Sequence, residues 1–226
     1  MLDHVLATDR ATLAQSAARR LRDMIIEGRI AAGSRLNERV LTEQLRVSRT
    51  PLREAFKVLS GEGLVELLPQ RGAIVATLSV AEVDAAFEVM AALEGLAGEL
   101  ACARITPDEL AEIRALQFDM LASHARGDLP GYFRANMAIH DRINAAARNP
   151  LLAQSFRQLN QRIHTVRYRS NLSQERWDKA VEEHAAMLKL LEARNGRALR
   201  ALLEAHLLNK REAVVAALRA QEARAA

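Results

Sequence analysis

Apolar positions recur at helical spacing through most of the chain. Ala17, Leu21, Met24 and Ile25 form one stripe, and Gly28 follows as a stop signal. Asn37 is a plausible N-cap for a short helix through Val40, Leu41 and Leu45, and Arg46-Val-Ser reads as a turn. Leu52, Ala55, Phe56 and Leu59 mark a third helix that closes near Gly61 and Gly63. The period then shortens. Leu64-Val-Glu-Leu-Leu and Ala73-Ile-Val-Ala flank the turn Pro69-Gln-Arg-Gly72, which predicts a small β-hairpin. Helix, helix, helix, hairpin is the order of a winged helix-turn-helix.

From Ser79 onward the pattern is helical only, and it predicts six helices. Ser79 with Glu82, and Thr106 with Glu109 and Pro107 at the first helical position, are capping boxes. The third helix starts near Asp128-Leu-Pro and runs to about Arg148. Asn149-Pro150 opens the fourth, Ser173 the fifth, and Asn195-Gly196 the sixth, which runs to about Ala220. The predicted fold is therefore mainly α. An N-terminal winged helix-turn-helix occupies residues 1–76, and an all-α antiparallel helical bundle occupies residues 77–226.

Composition supports this reading. The 226 residues are 50% hydrophobic, enough for a sizeable core, and only 4% aromatic. No apolar run approaches the roughly 18 residues of a membrane helix, and the start Met1-Leu-Asp-His does not resemble a secretory signal. A single cysteine, Cys102, excludes an internal disulfide and a multi-cysteine metal cluster. A cytoplasmic location and no membrane partner are expected. The formal charge is +4, and most of the excess lies early: residues 1–76 hold 12 Lys/Arg against 9 Asp/Glu. That points weakly to a polyanion partner for the N-terminal domain.

The third helix gives the polyanion a place to dock. With Leu52 at the centre of the buried stripe, Thr50, Arg53 and Lys57 fall about 100–160° away at about 100° per residue. Arg49 lies at the flank of the first turn. A helix that buries one face and presents arginines from its N-terminal half suits a major groove, where arginine pairs bidentately with guanine. Ser48 and Thr50 offer hydroxyls to phosphate, and Arg71 and Gly72 at the hairpin tip can reach an adjacent groove. An ordinary solvated basic face is the alternative.

The stretch from Gly33 to Val75 decides between them. Its motifs are Gly-x-Arg-Leu-x-Glu, Val-Ser-Arg-Thr-Pro-Leu-Arg-Glu-Ala, Leu-x-x-x-Gly-Leu-Val and Arg-Gly. Together they closely resemble the DNA-binding domain of the GntR family of bacterial transcription regulators, over roughly residues 12–76. The resemblance implies DNA contacts at Arg49, Thr50 and Arg53 in the recognition helix and Gly72 in the wing. Arg35 falls in the first motif and is read as a phosphate contact.

Three histidines stand on apolar stripes of three predicted helices. His140 follows Phe133 and Met137, His184 lies between Val181 and Leu188, and His206 follows Leu202 and Leu203. Asn136 is one turn before His140, on the same helix face. Any one such histidine is ordinarily a core residue. Three with a polar partner favour a common site, and converging imidazoles suit Zn²⁺ or another borderline divalent metal.

Residues 79–220 resemble the FCD ligand-sensing domain of the FadR subfamily. The phrases that carry this are Asn136-x-x-x-His140, the later His184 and His206, Leu93-Glu94, Asn149-Pro150, Glu183-His184 and the Asn195-Gly-Arg-Ala linker. Six helices rather than seven resemble the VanR-type branch. The resemblance implies a metal held by Asn136, His140, His184 and His206, with zinc, nickel or manganese as the ion. It also implies a small carboxylate effector beside the metal. One position departs from the pattern: where many relatives carry an arginine four residues before the Leu-Glu glutamate, this chain has Met90. Another cation must then meet an acid effector, and Arg134, Arg162, Arg167 and Arg169 are the candidates. Tyr168 and Trp177 are pocket wall or packing.

No zincin His-Glu-x-x-His, hydrolase Gly-x-Ser-x-Gly or nucleotide-binding glycine loop occurs, and Cys102 reads as a core thiol, so an enzyme is not expected. The expectation is a sequence-specific transcription regulator, in the main a repressor. It binds double-stranded operator DNA as a homodimer under control of an organic-acid effector. Its rivals are a metal-dependent enzyme with an accessory nucleic-acid domain, and an architectural DNA-binding protein with an inert helical dimerisation domain.

Overall fold

The computed structural model describes residues 2–169 and 173–225, with side chains described for 13–164, 166–168 and 173–220. The chain forms two compact units, Met1–Leu78 and Ser79–Ala226.

The first unit holds α1 (Leu2–Ile26), α2 (Glu38–Leu45), α3 (Arg49–Gly61), β1 (Val65–Leu68) and β2 (Gly72–Val75). α1 starts well before its apolar stripe, which sequence periodicity places only from Ala17. Asn37 caps α2, its side-chain oxygen accepting from the Arg39 and Val40 amides. Arg46, in the left-handed region at φ 55°, ends α2 and turns the chain towards α3. Arg20 of α1 donates to the carbonyls of Gln44 and Leu45, satisfying acceptors that the end of α2 leaves open. β1 and β2 pair antiparallel from Val65↔Val75 to Leu68↔Gly72, and Arg35 adds a bridge to Ile74. Gln70 at φ 57° and Gly72 at φ 85° make the tight turn. Leu21, Ile25, Leu41, Leu45, Leu52, Phe56 and Leu59 close the core against Val65 and Val75.

The second unit holds α4 (Val80–Arg104), α5 (Pro107–Ala125), α6 (Leu129–Ala146), α7 (Pro150–Arg169), α8 (Gln174–Glu192) and α9 (Gly196–Ala225). Both predicted capping boxes form, Ser79 with Glu82 and Thr106 with Glu109. Ser173 precedes α8 without a side-chain cap bond. α6 stops at Ala146, and Arg148 takes φ 49° before Pro150 restarts the chain as α7. α4 is the central helix and packs against α6, α7, α8 and α9. It buries Val83, Phe87 and Met90 on its first turns and Ala97, Ala101 and Cys102 on its last. A helix with neighbours on several sides cannot carry a single apolar stripe, and α4 does not.

Two glycines set how closely α9 approaches α4. A methyl group at Gly98 would collide with the Leu203 side chain and stand 3.0 Å from Leu199 Cγ. One at Gly95 would meet only the Glu204 side chain, whose charged end can swing to solvent. Gly98→Ala is therefore expected to destabilise the protein by about 1–3 kcal/mol through overpacking. Gly95→Ala should cost less, because it meets only a flexible side chain, while both substitutions gain the same helix propensity of up to about 1 kcal/mol. Urea unfolding of the two variants checks the order.

Candidate functional site

His140 comes from α6, His184 from α8 and His206 from α9. One ligand nitrogen of each lies within 4.8 Å of the others. Ring centroids are 5.1 Å apart for His140–His184, 5.6 Å for His140–His206 and 5.1 Å for His184–His206. All three rings are buried, and so is Asn136, one turn before His140 on α6. The tertiary fold thus brings together three helices that are far apart in sequence.

Two carboxylates orient two of the rings. Glu94 of α4 lies 2.5 Å from His140 Nδ1 and 3.1 Å from Arg167 Nη1 of α7. Glu183 of α8 lies 2.5 Å from His206 Nδ1 and 2.7 Å from Arg176 Nη2. Glu183 accepts from the His206 Nδ1–H, and Glu94 faces His140 Nδ1 as a close ion pair without hydrogen-bond geometry; each carboxylate favours the proton on Nδ1 and leaves Nε2 as the lone-pair nitrogen. Nε2 of His140 and of His206 has no hydrogen-bond partner, and neither nitrogen of His184 has one. Both polar atoms of the Asn136 amide are also unpartnered. Buried polar atoms are nearly always satisfied, so this cluster is out of line with an ordinary core. Imidazoles that give one nitrogen to a carboxylate and keep the other open are how metal-binding histidines are held. The donor set fits a borderline divalent ion.

Burial holds His184 and His206 well below the ordinary histidine range, and the nearby cations reinforce it. Burial also lowers His140, against the pull of Glu94. Burial would raise Glu94, but His140 and Arg167 more than offset this and bring it to about 2. His184 and His206 are therefore neutral imidazoles beside an ionised Glu94, the protonation state that metal binding needs.

The effector candidates separate. Arg167 is completely buried and donates to Asn160 as well as pairing with Glu94. Arg134 and Arg162 are exposed, and Arg162 pairs with Glu82 at 3.0 Å, so neither joins the histidine cluster. The Arg169 side chain lies outside the described residues. Met90 is fully buried in α4, so an apolar side chain fills this position. Tyr168 packs edge-on against Phe133, and Trp177 packs edge-on against Tyr132. Cys102 is buried, and burial pushes its thiol up, away from reactivity.

Sequence reasoning missed Arg176 and Lys210. Arg176 Nη2 lies 3.4 Å from His206 Nδ1. Lys210 follows His206 by one helical turn and is fully buried. The second had a signal in the sequence: a lysine on the same apolar stripe as a histidine.

In the first unit Ser48, Arg49, Thr50 and Arg53 are all exposed at the start of α3, while Pro51, Leu52 and Ala55 are buried beneath them. The Ser48 hydroxyl makes no cap bond. Arg53 forks onto Glu38 of α2 at 2.9 and 3.1 Å. Arg71 and Gly72 are exposed at the hairpin turn, and Arg35 is exposed beside β2. The sequence-predicted DNA-binding residues thus fall on the start of α3, the hairpin tip and the strand-like bridge.

The neutral histidines couple stability to pH. Below about pH 6.5 the unfolded chain takes up protons that folded His184 and His206 refuse. Metal-free protein should be most stable above that pH. As pH falls below it, each such histidine should cost up to about 1.4 kcal/mol per unit. Urea unfolding at pH 7.5 and 5.5 measures this; a flat profile would contradict neutral burial.

Comparison with known proteins bears on both units. Residues 13–75 match the gntR family of bacterial regulatory proteins, and residues 85–209 match the FCD domain. The chain is 36% identical to an uncharacterised HTH-type transcriptional regulator of Agrobacterium vitis, over 64% of this chain and 85% of the relative. It is 27% identical to the HTH-type transcriptional repressor RspR of Escherichia coli, over 88% of each chain. It is 30% identical to a probable D-xylose utilization operon transcriptional repressor of Paenarthrobacter nicotinovorans, over 83% of this chain and 84% of that one. The solved structure of E. coli McbR/YncC has the same fold, with a TM-score of 0.78 at 23% identity, over 93% of this chain and 98% of that one. The chain belongs to the GntR family of DNA-binding transcriptional regulators and carries the FCD ligand-binding domain.

Proposed function

We propose that this regulator is a metal-dependent repressor released from its operator by an organic acid. Residues 1–76 read the DNA, and residues 77–226 bind the ion and the effector and form the homodimer. The observation that carries the reading is the convergence of three buried imidazoles with open nitrogens. Asn136, His140, His184 and His206 would hold zinc, nickel or manganese. The bound ion would supply a Lewis-acidic point for one acid oxygen. Arg167 and Arg176, both buried, add positive charge where Met90 adds none. Six helices after the hairpin support the VanR-type branch of the FadR subfamily. Two relatives named as repressors support the sign of regulation.

In the reading unit, Arg49, Thr50 and Arg53 face the major groove. Arg35, Ser48, Arg71 and Gly72 meet phosphate or the adjacent groove. One recognition helix buries too little surface for tight specific binding, and two half-sites related by the dimer axis remove that limit. The effector changes operator affinity only as far as it prefers one conformer of the protein. The setting is the cytoplasm, where operator and effector meet; among the described residues no helix is long and apolar enough to cross a membrane.

Two outcomes test this reading. His184→Ala should lower metal content and melting temperature together. An ion held only by the folded state contributes about 2.7 kcal/mol at a hundredfold excess over its Kd. Elemental mass spectrometry with calorimetry checks it, and unchanged metal content removes His184 from the site. Arg53→Ala should cost about 1–3 kcal/mol on an operator recovered from random duplexes, and relax base preference there. A uniform loss over all sequences would make Arg53 a phosphate contact instead.

A further inference from the structure

Lys210 is the one buried cation near the histidine cluster without an ion pair among the described residues; Glu94 and Glu183 act on it only from beyond ion-pair distance. Its side chain is completely buried, and Nζ has no hydrogen-bond partner. The other two buried cations there are matched: Arg167 pairs with Glu94, and Arg176 with Glu183. Both carboxylates are thus committed, each to one guanidinium and one imidazole. Lys210 lies one turn beyond His206 on α9, on the same helix face. Next to burial, its charge is the largest influence on the His206 imidazole, and it also acts on His184 and His140.

Burying an ammonium without a partner is strongly unfavourable, and burial together with the Arg167 and Arg176 charges pushes Lys210 well below the ordinary lysine range; an anionic ligand at Nζ would relieve that cost. The proposed ion donors are three imidazoles and one amide, all uncharged. A divalent ion held by them would keep its full charge, and Lys210 would add a second donor for an anion. A single carboxylate cannot serve both.

Resting on the metal and effector reading above, we propose that Lys210 is the second anchor of the effector site, and that the effector carries two acid groups. One acid group faces the ion. The other accepts hydrogen bonds from Lys210 Nζ. This gives the chain its own cation for acid recognition at a site where Met90 offers none, drawn from α9 rather than α4.

The test uses the full-length, metal-loaded protein and length-matched acids: propionate with malonate, butyrate with succinate, and valerate with glutarate. Titration calorimetry gives affinities, and elemental mass spectrometry gives metal content. Wild type should bind the best dicarboxylate about tenfold to a hundredfold more tightly than its monocarboxylate partner. Lys210→Met and Lys210→Gln should erase that preference while keeping the metal and the monocarboxylate affinity. Without any acid, Lys210→Met should melt at or above the wild-type temperature, because it removes a buried amine that has no hydrogen-bond partner; a purely structural lysine would instead lower it. Equal binding of both acid series by wild type, a preference that survives in both variants, or metal loss on removing Lys210 would each overturn the proposal. Failure of both series to bind wild type would overturn it together with the acid-effector reading. Intact monocarboxylate binding isolates the failure to Lys210.

Discussion

The helical unit is organised around one carboxylate. Glu94 sits at the middle of the central helix, completely buried, and joins His140 of α6 to Arg167 of α7. An ionised carboxylate in that position is tolerable only with both partners in place, and loss of either would leave a buried charge uncompensated. The interaction therefore specifies the register of three helices at once. Glu183 repeats the arrangement on the other side, joining His206 of α9 to Arg176 of α8. The two chains of charge hold two imidazoles from behind and keep their Nε2 atoms clear.

Packing makes this arrangement possible. Gly98 lets α9 come against α4, and Leu199 and Leu203 fill the space at that crossing. The same approach carries His206 and Lys210 into the interior. A helix displaced outward by a side chain at Gly98 would move two polar groups of the site with it. The helix packing and the polar cluster thus share one interface, and in the proposed reading the polar interior is kept at some expense in stability for the sake of a ligand.

The N-terminal unit follows a different economy. Among the described residues its core is apolar and small, and the proposed DNA contacts are on the outside. α3 buries Leu52, Ala55, Phe56 and Leu59 and leaves Arg49, Thr50 and Arg53 exposed on the opposite side of its first turns. Glu38 holds the Arg53 fork, so in the proposed reading the guanidinium would exchange this carboxylate for a base or phosphate. That pair is exposed, and water screens it, so the exchange is inexpensive.

Much of this was legible in the residues. Caps and periodicity are local, so Asn37, the Ser79–Glu82 and Thr106–Glu109 boxes, and the Pro-Gln-Arg-Gly turn marked their elements within a few residues. The family motifs identified the DNA-binding unit, and three histidines on apolar stripes pointed to a shared site. The extent of α1 was not legible, because the residues before Ala17 carry no clear apolar stripe to mark a helix. Nor could spacing separate Arg167 from Arg134 and Arg162: all three are arginines on helices, and only packing buries the first and leaves the others in water. Lys210 and Arg176 are the strongest case. Sequence alone reads a lysine or arginine as surface, because burying a charge is costly. The stripe shared with His206 hints at Lys210, but only the tertiary structure buries both cations and sets Arg176 Nη2 3.4 Å from His206 Nδ1, because side-chain surroundings depend on helices far apart in the chain. Local chemistry determined the elements and the family; long-range packing decided which charges face the site.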